Sequence, residues 1–170
     1  LVNIANFSIQ MIDRHRSIFT SQAIVGRPLR ETPVFSSLMT YLVLNPDWTV
    51  PPTILNEDVI PEVINNPSYL SNKQMRVIAF DGSEVDPAII DWNRATLSGF
   101  PYMIRQNPGS LNSLGRVKFM FPNPYNIYIH DTPARSLFLR NERTFSSGCI
   151  RINKPLELAL LLMDEQPDIN

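Results

Sequence analysis

The chain is poor in the residues on which most site chemistry draws. Its 170 residues include one cysteine, two histidines, two tryptophans and six glycines. A single cysteine excludes an internal disulfide and any cysteine-rich zinc site. Two histidines leave little for a histidine-based one, so neither a metal nor a cofactor is expected. No sign of charge dominates: 15 basic against 16 acidic residues give a formal net charge of −1, which argues against a nucleic-acid partner. No apolar run approaches the length of a bilayer span, so the domain itself is not expected to cross a membrane. The opening residues lack the pattern of a signal peptide and enter strand-like sequence at once. The expectation is an excised soluble domain, with any targeting segment or partner domain lying outside it.

What is abundant is proline, fifteen residues of it, which predicts a rigid, irregular chain with few long helices. The length suits one domain, or one domain carrying an insertion. Phe7, Ile9 and Met11 alternate with Ser8 and Gln10, and Asp13-Arg14-His15-Arg16 turns the chain into Ser17–Val25, a β-hairpin. Gly26-Arg27-Pro28 ends that strand. Met39–Leu44 reads as a third strand. Arg116–Phe121 and Asn126–His130 alternate in the same way, with Val117, Phe119, Phe121, Ile127 and Ile129 on the apolar side. The fold class is therefore mainly β, a β-rich α+β core of short strands. Pro155–Met163 reads as a C-terminal helix capped by Asn153, too dense in leucine to stay solvated, so it packs on the sheet.

Between 45 and 115 the character changes. Prolines punctuate the stretch, and two helical pieces stand out: Asn56–Asn65 with Asn56 as cap, and Pro87–Trp92 with Asp86 as cap. A connection this long between core strands is not a bare loop. It reads as an inserted subdomain or lid.

The one thiol lies in Ser146-Ser147-Gly148-Cys149-Ile150-Arg151, nineteen positions after His130. A thiol with its ordinary pKa of about 8.5 is only a few per cent thiolate at neutral pH and needs a base to act as a nucleophile. Alone, Cys149 would read as a small buried hydrophobe, and His130 as a hydrogen-bonded residue at a strand edge. Together they give a strand-borne His-Asp-Thr-Pro turn and a spacer, then a thiol preceded by small residues whose N–H groups can turn toward an oxyanion. The spacer is long enough to bring its ends together at little entropic cost. The other histidine, His15, sits between Arg14 and Arg16 in the predicted hairpin turn and reads as surface.

These residues resemble the catalytic domain of the L,D-transpeptidases, the YkuD type. Its signature is a histidine, a spacer, and then Ser/Thr-His-Gly-Cys. Here His130, the spacer 131–145 and Ser146-Ser147-Gly148-Cys149 fit, followed by Ile150-Arg151 as in many members. Tyr125–Pro133, Trp48–Thr53, and the run from Gly26-Arg27-Pro28 to Thr32-Pro33-Val34-Phe35 look like the periplasmic Gram-negative branch with a large lid insertion, so the resemblance covers essentially the whole chain. Two positions depart from the commoner pattern. Ser147 replaces a second histidine, and Asp131 follows the base where many members have glycine or serine. The base function then falls to His130 alone.

The resemblance implies a single catalytic domain over 1–170, a YkuD-like β-sandwich core with an inserted, partly helical lid over 45–115, and a periplasmic location. Any membrane anchor would be carried by a segment outside this sequence. It implies Cys149 as nucleophile, His130 as general base and acid, and the main-chain carbonyl of Asp131 as the group orienting His130. The Asp131 carboxylate should point to the opposite face of the strand. Gly148 and Cys149 would offer oxyanion-hole N–H groups, with Ser147 a further candidate, although Gly148 also reads as a plain turn glycine. Tyr128, Arg151, Ser146 and Trp48 are candidates for substrate contact. Arg151 would either bind a substrate carboxylate or tie the loop to a structural acid, Tyr128 would line the cleft or pack the sheet, and Ser146 would brace the loop. Trp48, like Trp92, would pack in a core or stack on substrate. The implied partners are peptidoglycan stem peptides as donor and acceptor, with carbapenem-type β-lactams as covalent inhibitors. Other readings are a cell-wall cysteine peptidase or L,D-carboxypeptidase, a serine hydrolase using Ser147, and a non-catalytic wall-binding module.

Overall fold

The computed structural model describes residues 1–164, apart from the side chains of 96–98; positions 165–170 of the expected domain lie outside the described residues. The chain divides into two compact units, one formed by Leu1–Asn45 with Leu114–Asn170, the other by Pro46–Ser113. In chain order the first unit opens with strands β1 (Val2–Asn3), β2 (Ser8–Asp13), β3 (Arg16–Gly26) and β4 (Tyr41–Leu44). The second carries β5 (Trp48–Thr49), helices α1 (Pro52–Ile54), α2 (Ile60–Asn65) and α3 (Tyr69–Asn72), β6 (Met75–Ile78), β7 (Glu84–Val85), α4 (Trp92–Ser98) and β8 (Met103–Gln106). The first resumes with β9 (Val117–Met120), β10 (Ile129–His130), β11 (Thr144–Ser146), β12 (Ile150–Ile152) and α5 (Pro155–Asp164).

The sheet of the first unit runs β1-β2-β3-β12-β10-β9-β4, with β11 also on β3. The hairpin forms where the alternation places it, and Arg14 and His15 supply the two left-handed residues of its turn, at φ 43° and 68°. The long β3 is shared: it pairs with β2 over Arg16–Gln22, then with β12 at Ala23 and Ile24 and with β11 at Val25 and Gly26. One apolar cluster draws on both halves, with Ile9, Phe19 and Ala23 from the hairpin meeting Val117, Phe119, Ile129, Ile150 and Ile152. The β-rich core therefore closes over a single interior, as a sandwich does. Each large side chain so enclosed contributes about 1.5–3 kcal/mol.

Helix α5 seals this core through Leu158 and Ala159. Asn153 is not its cap. The helix starts at Pro155, and Ser21 of β3 accepts from the N–H groups of Asn153 and Lys154, while the Asn153 carbonyl and amide oxygens accept from the Arg135 guanidinium.

In the second unit the expected helix over Asn56–Asn65 instead begins at Pro52. Pro52 suits a first turn that needs no N–H, and a π-helical turn over Leu55–Val59 leads into α2. Asn56 is therefore interior to the helix. Asp86 does cap, accepting from the N–H of Ala88 at 2.9 Å, but its 3₁₀ turn ends at Ile89 and Trp92 opens α4 under Asp91. A small sheet, ordered β5-β8-β6-β7, was not foreseen, because strands of two to four residues are too short to show alternation. The buried Gln106 and Asn112 hold the unit's ends: Asn112 donates to the carbonyl of Pro46, and Gln106 accepts from the N–H of Ser113.

Candidate active site

Strands β9, β10 and β12 lie side by side, and their register brings the sequence-predicted residues together. Ile129 is opposite Phe119 on one side and Ile150 on the other, and all three belong to the core. One residue later His130 is opposite Lys118 and Arg151, which by the pleat stand on the other face. Tyr128 and Cys149 precede His130 and Arg151 by two residues and extend the same face. The Tyr128 and His130 rings lie 5.5 Å apart, and Lys118 Nζ sits 4.0 Å above the Tyr128 ring. The carbonyl of Tyr128 accepts from the N–H of Ile150 at 3.0 Å, which fixes Cys149 beside it. Asn126, at φ 55°, shortens the expected strand over Asn126–His130 to Ile129–His130.

His130 is 4% exposed. Its Nδ1 lies 2.5 Å from the carbonyl oxygen of Asp131. A carbonyl only accepts, so Nδ1 carries the proton and the Nε2 lone pair is left for another partner. Burial holds the ring well below the usual histidine range, at about 3. The Arg151 charge acts in the same sense, the Asp131 carbonyl opposes it, Lys118 lowers it further and the Leu114 carbonyl raises it. At neutral pH the ring is an uncharged base.

The Asp131 carboxylate faces away, as alternation requires. It accepts from the N–H of Arg116 at 2.9 Å and from the Arg135 guanidinium at 3.1 Å, and the Asp131 N–H donates to Val117. Gly115 makes room for it. Gly115 sits at φ +63°, and a Cβ there would lie 2.4 Å from the Asp131 carboxyl.

The cysteine loop is wired through Ser146, which is 1% exposed. Its hydroxyl donates to the Cys149 carbonyl at 2.5 Å and accepts from the Gly148 N–H at 3.2 Å. Of its two readings, Ser146 takes that of a brace inside the loop. One expectation changes: the Gly148 N–H is engaged within the loop instead of standing open for an oxyanion. Gly148 is required for its φ of +107°. Thr32 donates to the Gly148 carbonyl at 2.8 Å and accepts from the Gly26 N–H at 2.9 Å, while the Arg30 guanidinium donates to Ser147 Oγ at 3.0 Å. The Cys149 thiol donates to the carbonyl of Asn126, 3.9 Å away. Burial pushes the thiol pKa up, against hydrogen bonds from the Tyr128 main chain and side chain and the charges of Lys118 and Arg151. In this state Cys149 is a thiol.

The YkuD profile, described as the L,D-transpeptidase catalytic domain, matches residues 1–167. The chain belongs to the YkuD family. A protein of Haemophilus influenzae, named "Putative L,D-transpeptidase", is 40% identical over 164 residues, which are 96% of this chain. The chain spans 33% of that curated relative's length. Family membership agrees with the β-rich fold. Among the described residues no helix is long and apolar enough to cross a membrane.

The remaining candidates separate cleanly. Trp48 is buried, on β5 of the second unit, so its ring is not free to stack on a ligand. Trp92 donates to the Pro87 carbonyl and stacks on Phe100 at 5.3 Å. His15 is exposed in the hairpin turn. Among the described residues Arg151 ties the loop to no structural acid: its Nε is buried without a hydrogen-bond partner. Sequence reasoning missed Thr32, Arg30, Lys118 and Gly115 as site residues. The one signal was that Thr32 and Arg30 fall in the Gly26–Phe35 stretch that resembles the family.

Proposed function

We propose that this YkuD domain is a peptidoglycan L,D-transpeptidase that works through a Cys149 acyl-enzyme. The observation that carries this is the neutral His130, its Nδ1–H anchored on the Asp131 carbonyl, on the same sheet face as Cys149. A neutral base needs no charged partner at rest. Turning the thiol from Asn126 toward Nε2 is one side-chain rotation, and catalytic hydrogen bonds commonly form only with substrate bound. His130 then takes the thiol proton as Sγ attacks the carbonyl of diaminopimelate, the third residue of a tetrapeptide stem. The oxyanion is held by the N–H of Cys149, with that of Ser147 as second donor; one such donor is worth about 2.7–4 kcal/mol of barrier. The intermediate collapses as the C–N bond breaks, and His130 gives its proton to the departing D-alanine amine. The side-chain amine of a second diaminopimelate attacks the thioester and loses a proton to His130, and the restored thiol leaves. Exclusion of water from the thioester favours amine over hydrolysis. The setting is the periplasm, and carbapenems, whose strained ring mimics the acyl donor, acylate Cys149.

Intact mass after carbapenem treatment tests the nucleophile. One adduct is expected on the native chain and none on Cys149→Ala; an adduct surviving in the variant sinks the assignment. Incubation with disaccharide-tetrapeptide should yield a cross-linked dimer. Release of D-alanine with only the tripeptide product would make the domain a carboxypeptidase.

A further inference from the structure

Resting on that function, we propose that Arg151 is the receptor for the terminal carboxylate of the donor stem, the carboxylate of the residue that leaves. The site thereby selects donors whose scissile bond is the last peptide bond.

Among the described residues, Arg151 forms no ion pair. Its Nε is the one buried side-chain nitrogen or oxygen among the described residues that lacks a hydrogen-bond partner. Its charge is felt by Cys149, which rests as a thiol, and burial works against the charge. Such a group costs stability unless something pairs with it, and natural interiors seldom leave one so. The fold does supply partners where an arginine is structural. Arg135, nearby in the same unit, holds the Asp131 carboxylate at 3.1 Å and both oxygens of Asn153. Arg151 has no such acid among the described residues and is half-buried rather than sealed.

Its position fits a carboxylate of the reacting peptide. It is the cross-strand neighbour of His130 and stands two residues beyond Cys149 on the same face. Those spacings are about 5 and 7 Å in a sheet. The carboxylate of the leaving residue is three bonds from the attacked carbonyl, about one residue step of 3.8 Å. The carboxylate at the far end of the diaminopimelate side chain is six bonds away, twice as far along the chain, and the donors compared below separate the two. Lys118 flanks His130 from the other strand, so an anion arriving here enters a face already positive on both sides of the base.

The test compares three tetrapeptide donors, the free acid, its C-terminal carboxamide, and the acid with the diaminopimelate side-chain carboxylate amidated, on the native domain, Arg151→Gln and Arg151→Lys. The native domain should prefer the free acid over the carboxamide by at least about 30-fold in kcat/KM, the range for unpairing a buried charge. Arg151→Gln should erase that preference, and Arg151→Lys should restore part of it. Iodoacetamide labelling of Cys149 and the thermal melt monitor whether each variant keeps its fold. Equal use of acid and carboxamide by the native domain overturns the proposal. So does a preference that follows the diaminopimelate carboxylate, or one that survives in Arg151→Gln. Binding of the same donors to Cys149→Ala, by calorimetry, reads the receptor without chemistry. Tighter binding of the free acid, lost when Arg151→Gln is added, supports it even if no acyl transfer is detected. Absence of transfer on every donor would then count against the transpeptidase reading alone.

Discussion

Strands β9, β10 and β12 show opposite chemistries on their two faces. Val117, Phe119, Ile129, Ile150 and Ile152 form one face, none more than 6% exposed. Lys118, His130 and Arg151 form the other, with Tyr128 and Cys149 in line. The two sets interleave along the same backbone, so the apolar set fixes the register that places the reactive set. A slip of one residue would exchange the faces entirely. Stability and chemistry are thus coupled through register, yet they reside in different side chains and can be removed separately.

The sharpest way to test that separation is His130→Gln. Loss of the base should cut acyl transfer by about 10²–10⁴-fold. The variant should still melt cooperatively, since the core face is untouched. The reciprocal change is Ile152→Ala, at a position 0% exposed in the centre of the core. It should cost about 2–5 kcal/mol in a urea titration. In conditions where it is fully folded, its turnover should stay within a few-fold of native. Loss of cooperative folding in the first variant, or loss of turnover in the folded second, would break the division.

How much of this was legible follows the same division. The apolar alternation of Ile9, Phe19, Phe119 and Ile129 locates the strands from sequence, because period two is a local property. His130 and Cys149 were found through spacing and small neighbours, and the outward turn of the Asp131 carboxylate follows from alternation. Thr32 bonds to Gly148 across 116 residues of chain. Lys118 and Arg151 meet His130 only once register is known. Ser146, Ser147 and Gly148 were read as a run of small residues. Only coordinates show that the Gly148 N–H and the Ser146 hydroxyl bond to each other. Non-local pairing sets these, and no window along the chain contains it.

The third prediction concerns acid, and it has the smallest effect per step. His130 has its pKa held at about 3 in the folded chain, mainly by burial, against about 6.5 when exposed. A depressed histidine pKa means that the unfolded chain binds the proton first. Stability from this residue is therefore whole above pH 6.5 and is lost as pH falls from there toward 3. One proton gives a slope of at most about 1.4 kcal/mol per pH unit. Between pH 6.5 and 5 the histidine titrates ahead of most carboxylates, so urea midpoints measured there report on it first. The native domain should lose stability across this window, and His130→Gln, which has nothing to protonate, should lose less. Parallel curves would mean that the ring is open to protons in the folded state. The contrast between the two faces would then blur at this residue, since His130 stands opposite Lys118 and Arg151 and yet is buried as deeply as Ile129.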